Sequence, residues 1–106
     1  MLNTQEFVQE YFAAAIDPDP ERYHALFAEQ VVVRDDGKTH RGLAEVRAWR
    51  SEVPPVRYRV REVSGPAAAC RATAEISGDF PGSPVTLHFV FERDTQGRIT
   101  SLSIEP

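Results

Sequence analysis

Apolar positions along the first sixteen residues recur at helical spacing. Phe7, Val8, Tyr11, Phe12 and Ala15 fall on one stripe, and this predicts an amphipathic helix from about Thr4 to Ile16. Asn3 is placed to cap it, with Glu6 three residues on as capping-box partner, and Asp17-Pro18 ends it. Asp19-Pro20-Glu21 opens a second, short helix whose apolar face is Tyr23, Leu26 and Phe27. From Val31 the period changes from helical to alternating. Val31, Val33 and Asp35 then share one face of a strand, and Asp36-Gly37 predicts a two-residue hairpin that sets Asp35 opposite Lys38 and Val33 opposite His40. Gly42 to about Ser51 reads as a third helix with Leu43, Val46, Trp49 and Val53 on its buried side, stopped by Pro54-Pro55. Four strands follow, at about Val56–Val63, Ala69–Ser77, Val85–Arg93 and Arg98–Ile104.

These strands have two unlike faces. Val56, Tyr58 and Val60, then Ala72, Ala74 and Ile76, then Val85, Leu87, Phe89 and Phe91 form an apolar face, on which the small side chains of Ala72 and Ala74 leave room for a cavity. The other face carries Arg57, Arg59, Arg61, Arg71, Thr73, Glu75, Thr86 and His88. It reads first as a solvated face and second as a polar dimer interface. Nucleic-acid binding comes third, because no aromatic residues for base stacking interleave with the arginines. The order of elements implies an α+β fold, a curved and mainly antiparallel sheet with helices on one face.

Composition narrows the picture without changing it. A chain of 106 residues, 42% hydrophobic and 26% charged, is expected to form a single domain over residues 1–106. At this length a core is within reach, and a core with a cavity gains from shared burial with a second subunit. The net charge of −4 argues against a nucleic-acid partner. No apolar run spans a membrane, and MLNTQEF lacks a secretory pattern, so no membrane role is expected. A lone Cys70, expected to be buried and inert, fits a reducing cytoplasm.

Asp35 is the main candidate for chemistry. A carboxylate on a face with two valines is paired, sits at a rim or lines a cavity, and in an apolar cavity it is a candidate general acid or base. The alternative is an exposed pair with Lys38, worth on the order of 0–1 kcal/mol. His40, on the same face, is a secondary candidate for a proton shuttle, or else a partly exposed strand-end residue. His24 and His88 read as surface residues. No metal-ligand spacing connects the histidines with Cys70, and no phosphate loop, nucleophile elbow or dinucleotide fingerprint is present, so neither metal nor cofactor is expected.

The run from Tyr11-Phe-Ala-Ala through Asp17-Pro-Asp-Pro and Ala25-Leu-Phe-Ala-Glu-Gln-Val-Val-Val-Arg-Asp35, then Arg41-Gly42, the Trp49 helix and the final strands, resembles the nuclear transport factor 2-like superfamily of SnoaL-like and ketosteroid isomerase-like proteins. The resemblance implies a cone-shaped α+β barrel closed by N-terminal helices around an apolar pocket, and a homodimer formed through the outer sheet face. It implies a small apolar organic ligand and cofactor-free isomerase, dehydratase or cyclase chemistry beside a carbonyl. In that scheme Tyr11 is the oxyanion donor and Asp35 the base, and Trp49, Tyr58, Leu87, Phe89 and Phe91 form the pocket wall. Leu87 stands where the isomerase has its second, protonated-acid donor. Arg50 stands where it has the tyrosine that supports Tyr11. A binding domain without chemistry, or a dimerisation domain with a filled core, is the alternative function.

Overall fold

The computed structural model describes residues 2–106. Helix α1 (Thr4–Ala15) begins at the expected capping box: the Glu6 amide donates to Asn3 Oδ1 at 2.8 Å and the Asn3 amide to Glu6 Oε1 at 3.1 Å. Asp19 caps α2 (Pro20–His24) by accepting from the Glu21 amide at 3.0 Å. This helix is one turn long. Strand β1 (Phe27–Asp35) therefore starts four residues before Val31, and Phe27 is a strand residue paired with Ile99 instead of part of a helical face. The turn to β2 (Lys38–Arg41) has positive φ at both Asp36 (52°) and Gly37 (75°), the geometry of a twisted two-residue hairpin. It opposes Asp35 to Lys38 and Val33 to His40. Helix α3 (Gly42–Glu52) has no side-chain N-cap; Glu45 Oε1 instead accepts from the Arg41 amide at 2.8 Å.

Strands β3 (Val56–Ser64), β4 (Ala69–Gly78), β5 (Val85–Arg93) and β6 (Ile99–Glu105) complete one sheet in the order β2-β1-β6-β5-β4-β3. All neighbours are antiparallel except β1 and β6, which run parallel. Strands β2 and β3 are free edges, so the sheet is curved and open, not a closed barrel. In β3 the register shifts between Val60 and Glu62, leaving Arg61 as an extra residue. The bulge returns Val63 to the inner face opposite Ala72, and Arg61 reaches across the outer face to Glu75 at 2.8 Å.

The helices lie on the inner face. Phe7, Val8, Tyr11 and Phe12 of α1 and Tyr23 of α2 are buried with Val31, Val33, Ala72, Ala74, Phe89, Phe91 and Leu102. Arg93 closes the end of this core nearest the start of α1. Its guanidinium lies 4.0 Å from the centre of the Phe7 ring and donates to the carbonyls of Gly97 (3.1 Å), Ala67 (2.9 Å) and Leu2 (3.5 Å). His24 is not on the surface. It is 7% exposed, packed beside Tyr23, with Nδ1 3.6 Å from Glu21 and no hydrogen bond to either ring nitrogen. Tyr23 and His24, the last two residues of α2, are both buried. No helix among the described residues is long and apolar enough to cross a membrane.

Candidate functional site

The face of β1 that buries Val31 and Val33 carries Asp35 to the end of the sheet. There it sits beside Ile104 of β6 and beneath α3. Trp49 on α3 donates its indole N–H to Asp35 Oδ2 at 3.0 Å. The other carboxylate oxygen has no donor among the described residues, and Lys38, although opposite in register, forms no ion pair with it. His40 stacks on the back of Trp49, with ring centres 5.6 Å apart and planes inclined by 29°. It supports the indole from outside the cavity.

Asp35 lines a cavity of about 210 Å³, open to solvent on one side, between α1, α3 and the inner sheet face. Tyr11 contributes from α1, Trp49 and Arg50 from α3, Tyr58 from β3, Leu87 and Phe89 from β5 and Ile104 from β6. Of the residues expected to form the wall, Trp49, Tyr58, Leu87 and Phe89 are brought together here. Phe91 lies deeper, edge-on to Phe7 and Tyr11, and is absent from the lining. Ala72 and Ala74 are likewise buried in the core and leave no room at the cavity. The space comes from the gap between the end of α3 and the sheet, where Val53 and Pro54 turn the chain away.

Two further polar residues matter here, Arg50 in the cavity wall and Tyr23 behind it; alternation marked neither, and the family likeness marked Arg50 only as a departure at the supporting-tyrosine position. The Tyr11 hydroxyl is not solitary: it shares a 2.8 Å hydrogen bond with the Tyr23 hydroxyl in the buried core. Burial holds the Tyr11 pKa well above the usual tyrosine value, the neighbouring Tyr23 and Tyr58 hydroxyls add to this, and the Arg50 charge opposes it. Burial likewise raises Tyr23, against the pull of Arg50. Arg50 lies over the Tyr23 ring, 4.2 Å from its centre, and donates from Nη2 to the Ala15 carbonyl at 2.8 Å. Burial works against its charge, but the Tyr23, Tyr58 and Tyr11 hydroxyls outweigh burial and its pKa is raised. Tyr23 was legible as a core aromatic on α2, and nothing in the local pattern marked its hydroxyl as the partner of Tyr11.

Arg50 also lines a second cleft, of about 330 Å³, with Tyr23, Ala14, Ile16, Pro18, Pro54 and Pro55. The carboxylate of that cleft, Asp17, is already bound to Arg22 at 2.9 Å, which leaves it no chemistry to offer. Cys70 is buried, its thiol pKa pushed up by burial, and it lines neither space. Among the described residues no three His, Cys, Asp or Glu side chains converge as metal ligands would. The inner cavity therefore combines one carboxylate with a free oxygen, the tyrosines Tyr11 and Tyr58 and one guanidinium in otherwise apolar walls.

Residues 8–102 match the model of the SnoaL-like domain family. A Sinorhizobium meliloti protein described as a candidate polyketide cyclase is similar in structure, with a TM-score of 0.85, 31% identity and 93% of each chain covered. A Catenulispora acidiphila protein with a ketosteroid isomerase-like fold, solved in complex with trimethylamine, superposes with a TM-score of 0.80 at 19% identity, covering 97% of this chain and 86% of the other. An Agrobacterium tumefaciens candidate isomerase of the SnoaL-like family gives 0.72 at 22% identity, covering 95% and 94%. The last two likenesses speak for the fold alone. Comparison with curated proteins gives no match.

Proposed function

The chain belongs to the SnoaL-like domain family, and on that premise we propose that it binds a small, mostly apolar organic molecule and moves a proton at a carbon next to a carbonyl. Asp35 is the base in this reading and Tyr11 the hydrogen-bond donor to the carbonyl oxygen. One observation carries it: a carboxylate held through one oxygen by Trp49, its other oxygen free, faces a cavity whose walls are otherwise mainly apolar. A base needs that arrangement, because the indole N–H fixes the carboxylate while the second oxygen stays available for the proton. No metal or cofactor is required for a transfer of this kind.

Volume limits the substrate. A dry cavity of about 150 Å³ takes up benzene, so about 210 Å³ fits a monocyclic or short-chain compound, and a larger ligand would project through the open side. Leu87 supplies no second donor to the oxyanion. Loss of one such donor costs roughly 10²–10³ in rate where an enzyme depends on it, so turnover should be modest. The likeness to a candidate polyketide cyclase is compatible with enolate chemistry on a small carbonyl substrate.

Exchange of α-protons for deuterium, followed by NMR in heavy water on cyclohexanone, 2-cyclohexenone and acetophenone, tests this reading. The wild-type protein should accelerate exchange on at least one of them. Asp35→Asn should abolish the acceleration while the ketone still shifts the resonances of cavity residues. Binding without accelerated exchange in the wild type would leave a ligand-binding domain and remove Asp35 from any catalytic role.

A further inference from the structure

Among the described residues Arg50 is the only cation that lines the cavity, and most of its hydrogen-bonding capacity is unspent. A guanidinium carries several N–H donors in a fixed fork. Here one nitrogen donates to the Ala15 carbonyl and the Tyr58 hydroxyl lies alongside, but among the described residues no carboxylate is within ion-pairing distance. The contrast with Arg93 is informative. That guanidinium is buried and also lies over an aromatic ring, but it donates from two nitrogens to backbone carbonyls and lines neither the cavity nor the second cleft. Arg22, Arg47 and Arg61 each meet a glutamate or aspartate. Arg50 is stabilised by the Tyr23 ring and by its neighbouring hydroxyls, and it lacks a counter-charge.

A half-buried cation without a counter-ion favours an incoming anion, because the desolvation of the cation has already been incurred in folding. Asp35 lines the same cavity and would repel that anion, so an anionic ligand has one favoured orientation: charged head at Arg50, apolar body along Leu87 and Phe89, opposite end toward Asp35. We propose that Arg50 is the anion-recognition residue of this cavity and that its ligand is a small organic acid, a carboxylate on a body about the size of one ring. The inference rests on the assignment of the cavity as a ligand site and adds the chemical class of the ligand. A planar guanidinium receives a carboxylate through two parallel hydrogen bonds, which an ammonium does not.

The protein's single tryptophan, Trp49, lines the cavity and reports occupancy through its own fluorescence. Benzoate and its neutral isostere benzamide are titrated against the wild type, Arg50→Gln and Arg50→Lys. The wild type should bind benzoate at least about tenfold more tightly than benzamide, with the preference weakening as salt is raised. Arg50→Gln should bring the two probes to equal affinity, and Arg50→Lys should keep only part of the preference. If the wild type binds both probes equally, or if Arg50→Gln retains the preference, the anion assignment is overturned and the cavity remains a ligand site for neutral molecules. If neither probe perturbs Trp49, the cavity assignment falls with it. Should Arg50→Gln not fold, the wild-type preference and its partial loss in Arg50→Lys decide the matter, and an undiminished preference in Arg50→Lys overturns the assignment of a bidentate guanidinium contact.

Discussion

Removal of the Tyr23 hydroxyl alone should cost more than its size suggests. Tyr23→Phe keeps the ring under Arg50 and its contacts with Phe27 and Tyr11. What it removes is one partner of the 2.8 Å hydrogen bond to Tyr11, a residue 2% exposed. The Tyr11 hydroxyl is then left in the core without a partner, a penalty of about 1–3 kcal/mol. Tyr11→Phe strands the Tyr23 hydroxyl in the same way. In the double variant neither hydroxyl remains, nothing polar is orphaned, and the loss should be smaller than that of either single change. The cycle should therefore show a coupling of at least about 1 kcal/mol, within the range expected of contacting residues. Urea unfolding measures it: for a slope of about 2 kcal/mol/M, each single variant should lower the midpoint by roughly 0.5–1.5 M with the slope unchanged. Strictly additive losses would show that water, or another group, already satisfies both hydroxyls, and the tyrosine pair could not then be regarded as one buried unit.

The same pair predicts a loss of stability in alkali. Burial holds both folded-state pKa values above the unfolded value of about 10, so their contribution is complete below that pH and is lost as pH rises beyond it. Denaturation midpoints should fall above about pH 10 in the wild type and less steeply in the double Phe variant, and tyrosinate absorbance from the pair should appear together with unfolding. The homodimer implied by family resemblance should sediment at twice the chain mass of 11.9 kDa. A single-chain mass at high concentration would reject it, and the outer-face residues Arg57, Arg59 and Arg71 would then simply be solvated.

Local signals survived into the structure wherever a short segment decides its own conformation. Asn3 with Glu6 set the start of α1, and Asp36-Gly37 set the hairpin and hence the face of Asp35. Alternation identified which side of each late strand is buried, but face is not depth. Phe89 reaches the cavity while Phe91, on the same side, is sealed beneath Phe7 and Tyr11. Partners were less legible still. Nothing in the pattern of β1 or β6 marks them as parallel neighbours, because strand pairing across the chain is a property of the assembled sheet. Ala25-Leu26-Phe27 suits helix or strand, and the pairing of Phe27 with Ile99 decides for strand. Arg50 stood out in the sequence only as a departure from a family position. Its place beside the cavity emerged once α3 was laid over Tyr23.

The position of β6 has a consequence for how the molecule is made. This strand is synthesised after the other elements described above and lies between β1 and β5, near the middle of the sheet. While the chain emerges, the β1–β2 hairpin and the β3–β4–β5 meander can each form early from local contacts. Each then carries an unpaired edge and an uncovered apolar face until Ile99–Glu105 arrives to join them. The joining of β6 to β1 links residues roughly 70 positions apart and is therefore expected to be the slow step. During that interval the slot between β1 and β5 accepts any strand of the right pattern, including β6 of a neighbouring copy. Strand exchange through β6 is thus the misassembly this topology invites at high concentration.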